Sequence, residues 1–140
     1  MDWSFIEANY LLIGLALASG GMLLWSFVNE SGGGNKVNVT DATLLINRHD
    51  AQVLDVREPD EFASGHIVSA RNLPVSKIND RLGEIHKLKE KPLILCCASG
   101  IRASKAASVL KKNGFTALHV LHNGVNAWKE AGLPLQKGRR

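Results

Sequence analysis

The feature that most constrains this chain is an uninterrupted run of uncharged residues near its start. Residues 8–28, 21 in a row, carry no charge and are rich in leucine, alanine and glycine. A helix of that length rises about 32 Å, enough to cross a hydrocarbon core of about 30 Å. Trp3, Tyr10 and Trp25 lie near its ends, where amphipathic rings prefer the membrane interface. We therefore predict a transmembrane helix over residues 8–28, preceded by a short tail over residues 1–7.

A cleaved secretory signal is the competing interpretation of this run. Ala16, Leu17 and Ala18 resemble a signal-peptidase site. However, the segment before the run contains Asp2 and Glu7 and no lysine or arginine, whereas a signal begins with a positively charged region. The apolar run also continues ten residues past Ala18. A retained anchor is the better interpretation.

The charge distribution predicts how the anchor is oriented. No basic residue precedes the run, whereas Lys36 and Arg48 follow it, so the positive-inside rule places the C-terminal part in the cytoplasm. The two cysteines, Cys96 and Cys97, are adjacent and cannot staple a fold, which favours a reducing compartment. We predict a single-pass protein of a bacterial inner (plasma) membrane whose domain faces the cytoplasm.

The rest of the chain has the length of one domain. We predict a glycine-rich linker over residues 29–36, a domain over 37–136 and a basic tail over 137–140. Seventeen basic and 11 acidic residues follow the apolar run. No aromatic residues are interleaved with the basic ones, so we expect no nucleic-acid partner.

Within the domain, segments typical of strands alternate with segments typical of helices. Strands are predicted at residues 37–39, 52–55, 93–96 and 117–121, with an extended stretch at 68–73. Helices are predicted from Thr40 or Asp41 through residue 46, and at 59–63, 78–82, 103–112 and 125–131. This alternation predicts an α/β fold, a parallel sheet with helices on both faces.

A cysteine directly follows the most apolar of these strands. Cys97 begins the hexapeptide CASGIR, in which Gly100 permits a sharp turn and Arg102 supplies a fixed cation. Backbone amides at such a strand–turn–helix junction would lower the pKa of the thiol and make it a nucleophile that substrate can reach. The alternative is that Cys97 is a small buried apolar residue. Cys96 should point to the opposite face and belong to the core.

Three segments together resemble the rhodanese-like sulfurtransferase family, in its order and near its spacings. They are residues 53–74 (VLDVREPDEF, GHI and ARNLP), the C-x-x-G-x-R loop from Cys97 to Arg102, and residues 114–135 with Gly124, Trp128 and GLPL. The resemblance covers about residues 37–135. It implies a rhodanese-like fold behind the membrane anchor and a catalytic cysteine at Cys97. It also implies a substrate-binding loop of Ala98, Ser99, Gly100, Ile101 and Arg102.

The implied activity is transfer of sulfane sulfur from a donor, thiosulfate or a persulfide, to a thiol acceptor that can be a protein thiol. Cys97 would carry the sulfur as a persulfide between two displacements. No cofactor and no metal are expected, since the histidines show no ligand spacing with either cysteine. Arg102 is the only fixed charge in the loop, so we expect modest activity with the thiosulfate dianion and a persulfide or protein as donor.

The chain departs from the family pattern at three positions. Ala103 stands where serine is frequent, Cys96 where an aromatic residue is frequent, and Asn123 precedes Gly124 where many members have two glycines. These departures affect substrate preference rather than the chemistry.

Other residues with functional side chains have structural interpretations. Arg102 is expected to hold the loop in shape by pairing with Asp55 or Glu61. Asp55 itself is expected to be a buried hydrogen-bonding acid, and His66 a structural histidine in a turn. Trp128 is expected to pack in the core.

Two other functions remain open at this stage. Cysteine phosphatases and arsenate reductases have related loops of the form C-x5-R, one residue longer than the loop here, and a smaller loop suits a sulfur atom better than a phosphate. A non-catalytic, membrane-tethered module that binds another protein is the second alternative, and the intact cysteine loop argues against it.

Overall fold

A computed structural model describes residues 3–30 and 33–139. The chain divides into two compact units, an N-terminal helix and the domain that follows it. The parts of the predicted tail and linker formed by residues 1–2 and 31–32, and residue 140, lie outside the described residues.

The N-terminal unit is helix α1, Trp3–Glu30. Its stretch Trp3–Val28 has a mean hydropathy of 2.0 and is long and apolar enough to cross a membrane, a test that a signal sequence near an N-terminus would also pass. The helix begins five residues before the predicted span because Trp3, Phe5 and Ile6 continue the apolar pattern around the single acid Glu7.

The second unit contains seven strands and five helices among its described residues. In chain order they are β1 Asn35–Val37, α2 Val39–His49, β2 Gln52–Asp55, α3 Pro59–Ser64, β3 His66–Ile67, β4 Arg71–Asn72, α4 Leu82–Ile85, β5 Leu93–Cys96, α5 Ile101–Lys112, β6 Leu118–Leu121, α6 Gly124–Glu130 and β7 Leu135–Gln136. Short 3₁₀ turns, Val75–Lys77, Asn79–Arg81 and His86–Leu88, flank α4.

Five strands form one parallel sheet in the order β1-β6-β5-β2-β4. The central strand β5 is buried along its whole length, as expected for a sheet covered on both faces. One apolar cluster joins it to α5 through Ala103, Ala106 and Leu110, and a second cluster on the other face contains Trp128 of α6. The predicted α/β architecture is confirmed.

Several details differ from the sequence-based expectations. Residues 35–36, predicted as linker, lie in β1, and Val39 begins α2 instead of ending a strand. The cap of α2 is Asn38, whose side chain accepts the Asp41 N–H at 2.8 Å, because an asparagine oxygen can reach that amide as well as a threonine or aspartate can. Of the extended stretch 68–73, only Arg71–Asn72 is a strand.

A second, two-stranded antiparallel sheet was not predicted. Its strands β3 and β7 are only two residues each, and they pair His66 with Gln136 and Ile67 with Leu135. Strands this short have no readable periodicity, because their hydrogen bonds depend on a partner about 70 residues away along the chain. The small sheet fixes the C-terminal segment against the domain.

Candidate active site

The predicted active-site loop connects β5 to α5, at the carboxyl edge of the central strand. Cys97 follows β5 directly. Its neighbour Cys96 packs in the cluster that contains Trp128, whereas Cys97 belongs to the cluster that contains Ala103. The two cysteines therefore face opposite sides of the sheet, as the alternation of side chains along a strand predicts.

The Cys97 residue is only 1% exposed. The sequence predicts a thiol that substrate can reach, whereas the loop covers the thiol in this structure. The reason is that the alternation which buries Cys96 on one face directs Cys97 into the core beneath α5. The neighbouring loop residues Ser99 and Ile101 are exposed, so the thiol lies directly under a thin surface layer.

Gly100 shapes the loop. Its backbone N–H donates a hydrogen bond to Sγ of Cys97 at 2.9 Å. Its φ of 103° lies in the left-handed region, where a Cβ atom would be strained, so glycine is required. The N–H and the hydroxyl of Ser104 both donate to the Gly100 carbonyl at 3.0 Å, which holds the turn to α5. Convergence of the remaining loop amides on the sulfur stays a prediction.

The loop is also held from beneath by the start of α6, a contact that sequence reasoning missed. The N–H of Val125 donates to the Cys97 carbonyl at 2.8 Å. A Cβ atom on Gly124 would overlap that same carbonyl oxygen, so only glycine fits. Asn123 has a φ of 56°, a conformation that asparagine tolerates better than most residues. The replacement of the family's first glycine is thereby explained.

Arg102 is bound to Glu61 of α3 in a bidentate ion pair, with distances of 2.7 and 3.0 Å. Of the two partners considered for Arg102, Glu61 is the one observed. Glu61 also accepts the N–H of Glu58, so it closes the first turn of α3 at the same time. The hydrogen bonds from Arg102 hold the pKa of Glu61 at about 2, and the carboxylate therefore compensates the only fixed charge of the loop.

Asp55 lies at the end of β2 and is fully buried. Arg57 donates to its carboxylate from Nε and Nη2, at 2.7–3.1 Å, and Nη2 also donates to the Gly65 carbonyl. The pair thus links β2 to the end of α3. The expectation of a structural acid is confirmed.

His66 is buried as well. Its Nδ1 forms a hydrogen bond with the Phe62 carbonyl at 2.9 Å, and its ring stacks on the Phe62 ring with centroids 3.7 Å apart. These contacts confirm the structural interpretation. Trp128 is confirmed as a packing residue whose Nε1 donates to the Pro134 carbonyl.

Burial raises the pKa of Cys96 well above its usual value, and the nearby Asp55 carboxylate adds to the effect. Cys96 therefore stays a protonated thiol at neutral pH. It is a core residue rather than a second nucleophile.

A cavity of about 160 Å³ borders the loop on the side of β6. The residues that line it include Ser99, Gly100 and Ile101 of the loop, together with His122 and Lys36. Lys36 pairs in register with Val120 on β6, which in turn pairs with Leu95 on β5. At about 4.8 Å per strand, Lys36 is roughly 10 Å across the sheet from the strand that carries Cys97. The cavity therefore places a cation beside the uncharged part of the loop.

Residues 38–131 match the family of rhodanese-like domains. The chain belongs to the rhodanese-like family. It is 42% identical over 100 residues to the uncharacterized protein YibN of Escherichia coli K12, covering 71% of this chain and 70% of YibN. It is 34% identical over 103 residues to a sulfurtransferase of Allochromatium vinosum, covering 71% of this chain and 94% of that protein.

A solved structure extends this similarity to the fold. The polysulfide-sulfur transferase homodimer of Wolinella succinogenes superposes on this rhodanese-like chain with a TM-score of 0.66. The two are 25% identical, and the match covers 86% of this chain and 92% of the other. Together the comparisons support a sulfurtransferase family role.

Proposed function

We propose that this protein is a membrane-anchored sulfurtransferase that carries sulfane sulfur as a persulfide on Cys97. The observation that carries the proposal is the hydrogen bond from the Gly100 amide to the Cys97 sulfur, in a C-x-x-G-x-R loop on a rhodanese-like fold. An amide donor aimed at the sulfur stabilises the negative charge that develops there during sulfur transfer.

The reaction runs in two displacements. The Cys97 thiolate attacks the outer sulfur of the donor, a new S–S bond forms, and the donor's own sulfur–sulfur bond breaks. The leaving group departs with the electron pair, as sulfite from thiosulfate or as a thiolate from a persulfide. An acceptor thiolate then attacks the outer sulfur of the Cys97 persulfide, and the Cys97 thiolate is regenerated.

A thiol persulfide, on a small molecule or on a protein, is the donor that the electrostatics favour. Arg102 is already compensated by Glu61, so the loop offers a dianion such as thiosulfate no free fixed charge. Lys36 lines the cavity beside the loop and is the cation that remains to bind an anionic donor. It lies outside the loop itself.

The proposed anchor is α1, with the domain in the bacterial cytoplasm. Its length and hydropathy support a membrane span. Protease treatment of right-side-out and inverted vesicles tests the orientation, since the basic tail at residues 137–140 is cleavable only from the side that the domain occupies. Cleavage in right-side-out vesicles would reverse the assignment.

The burial of Cys97 favours one competitor, a non-catalytic module that binds another protein. A nucleophile needs access to its substrate, so a sulfurtransferase requires the exposed segment around Ser99 and Ile101 to move aside. The two functions therefore differ in one measurable property, which is whether sulfur is transferred to position 97.

The deciding experiment is mass spectrometry of the full chain after incubation with thiosulfate, a low-molecular-weight persulfide or polysulfide. We expect one added sulfur atom on the peptide that bears Cys97, removable by an acceptor thiol. The matched variants are Cys97→Ala and Cys96→Ala, and only the first should lose the adduct. No adduct with any donor, or an adduct that survives Cys97→Ala, would refute the proposal.

A further inference from the structure

A second cavity, of about 430 Å³, lies beside β4, the outermost strand of the parallel sheet. Three arginine side chains line it: Arg71, Arg81 and Arg139. They come from three separate parts of the chain, the start of β4, the 3₁₀ turn before α4, and the segment after β7. Like charges brought together repel one another, so such a cluster favours a bound anion.

The protein compensates this charge only in part. Glu84 binds Arg81 through both carboxylate oxygens at 2.8 Å, and its backbone carbonyl accepts Nη1 of Arg71 at 3.1 Å. Among residues 3–30 and 33–139, no carboxylate forms an ion pair with Arg71 or Arg139. Of the three arginines, only Arg81 has a carboxylate partner among the described residues, so the cavity keeps an excess of positive charge.

The third arginine is placed by ordered backbone rather than by a loose end. Strand β7 pairs with β3, and the Gly138 N–H donates to the Ala63 carbonyl at 2.9 Å. Arg139 is the next residue. Its position at the cavity therefore follows from the small antiparallel sheet.

The other polar residues that line the cavity can donate hydrogen bonds to an oxyanion. Gln52 and Ser69 also line the cavity and can donate from an amide and a hydroxyl. Arginine carries a planar fork of donors that matches the paired oxygens of a phosphate group. A volume of about 430 Å³ accommodates a phosphate group together with a small substituent.

We propose that the arginine cavity binds a phosphate group, carried either by an anionic phospholipid headgroup or by a small soluble phosphate ester. The site is separate from the cysteine loop. Different residues line the two sites, and β4, which carries Arg71, is two strands away from β5, which leads to Cys97. A ligand in the cavity leaves the loop free for its own chemistry.

The two sources differ in what they require of the protein. A phospholipid headgroup requires that the domain lie near a membrane, and this source rests on the anchor proposed above. A soluble phosphate ester does not depend on that anchor, so the two sources can be tested separately.

The test uses the full chain in an uncharged detergent. Native mass spectrometry measures the binding of phosphatidylglycerol and, for comparison, zwitterionic phosphatidylcholine. In a second arm, thermal unfolding is followed with inorganic phosphate and with chloride at equal ionic strength. We expect the wild type to prefer phosphatidylglycerol, and the double variant Arg71→Ala/Arg139→Ala to bind it about tenfold more weakly.

The matched control is Lys111→Ala/Lys112→Ala, which removes the same charge from the end of α5. It should bind as the wild type does. Binding of phosphatidylglycerol without stabilisation by phosphate assigns the lipid source, and stabilisation by phosphate assigns the soluble source. Equal affinity of the arginine variant and the wild type, or equal losses in both double variants, would overturn the proposal.

Folding of the variants is controlled in the same experiment. Arg81 is left intact because its pair with Glu84 supports the segment before α4. The single variant Arg139→Ala alters only an exposed residue near the chain end, so its affinity decides the matter if the double variant does not fold. Failure of the persulfide experiment would leave the phosphate arm unaffected, because that arm involves neither Cys97 nor the anchor.

Discussion

The two faces of the sheet at the end of β5 hold chemically identical side chains in different surroundings. Cys96 lies in a sealed apolar core beside the buried Asp55–Arg57 pair. Cys97, the next residue, lies under a loop whose other members reach the surface, and it receives the Gly100 amide. Reactivity here is decided by the direction of the side chain and by the neighbouring backbone. Residue type alone does not distinguish the two positions.

Replacing each cysteine in turn should give the largest difference in sulfur-transfer activity between the two faces of the sheet. We expect Cys97→Ala to lower sulfur transfer at least about 10²-fold, because the step loses its nucleophile. Cys96→Ala should keep most of the activity and cost about 1 kcal/mol of stability through a small cavity. Steady-state transfer to a thiol acceptor and denaturant unfolding provide the two measurements. Equal losses of activity would contradict the assignment of roles.

The contact beneath the loop can be broken at Gly124. A Cβ atom there would overlap the Cys97 carbonyl in a left-handed backbone, so Gly124→Ala should lower the free energy of unfolding by about 2–4 kcal/mol. Asn123→Gly, one residue earlier, should change it by less than about 1 kcal/mol. Denaturant titration of both variants tests this, and a neutral Gly124→Ala would show that the loop is not held from beneath.

Alkylation compares the two thiols in the intact protein. Cys96 stays protonated because burial raises its pKa, and it becomes accessible only when the core opens. Cys97 needs only its covering loop to move. We expect iodoacetamide to label Cys97 at least about tenfold faster than Cys96 at neutral pH, measured by peptide mass spectrometry over time. Labelling of both at the rate of global unfolding would mean that the loop does not open.

The net charge near the Cys97 loop can be changed without replacing the cysteine. Glu61→Gln removes the carboxylate that compensates Arg102, so an anionic donor should bind better. We expect the ratio of thiosulfate to persulfide activity to rise by about threefold to tenfold, chiefly through KM. Asp60→Asn, on the same helix and also acidic, is the matched control and should leave the ratio unchanged.

The ion pair between Arg102 and Glu61 predicts that the free energy of unfolding depends modestly on pH. The folded-state pKa of Glu61 is about 2, below its usual value of 4.5. The stabilisation is therefore fully present above about pH 4.5 and is lost as the pH falls towards 2. The pair is partly exposed, so the effect is small. Chemical unfolding from pH 5 to pH 2 should show a shallower acid loss in Glu61→Gln than in the wild type.

Much of the fold follows from local patterns. Strands β2 and β5 begin and end where the sequence predicts because a short apolar run between polar or proline residues has few other conformations. Helix α5, predicted at residues 103–112, ends where the sequence predicts and begins two residues earlier, at Ile101. In contrast, β3 and β7 could not be predicted, since two residues carry no period and each strand exists only through the other.

The candidate site divides in the same way. The cysteine, the turn glycine and the arginine follow one another within six residues at the end of a predicted strand, so the sequence could predict the candidate loop, while a buried apolar Cys97 stayed the alternative. The sequence left Asp55 and Glu61 as alternative partners of Arg102. Only the packing of α3 against the loop selects Glu61. The requirement for Gly124 was not predicted, because it arises from contact between segments more than 25 residues apart.

The sequence by itself determined the long apolar N-terminal helix, the alternation that produces a parallel sheet, and the opposite directions of Cys96 and Cys97, because each depends on neighbours within a few residues. Only the tertiary structure decided that Cys97 is covered, that Arg102 is compensated and that three distant arginines meet beside β4. Burial and electrostatic fields depend on which segments pack together, and those contacts join residues that no local pattern relates.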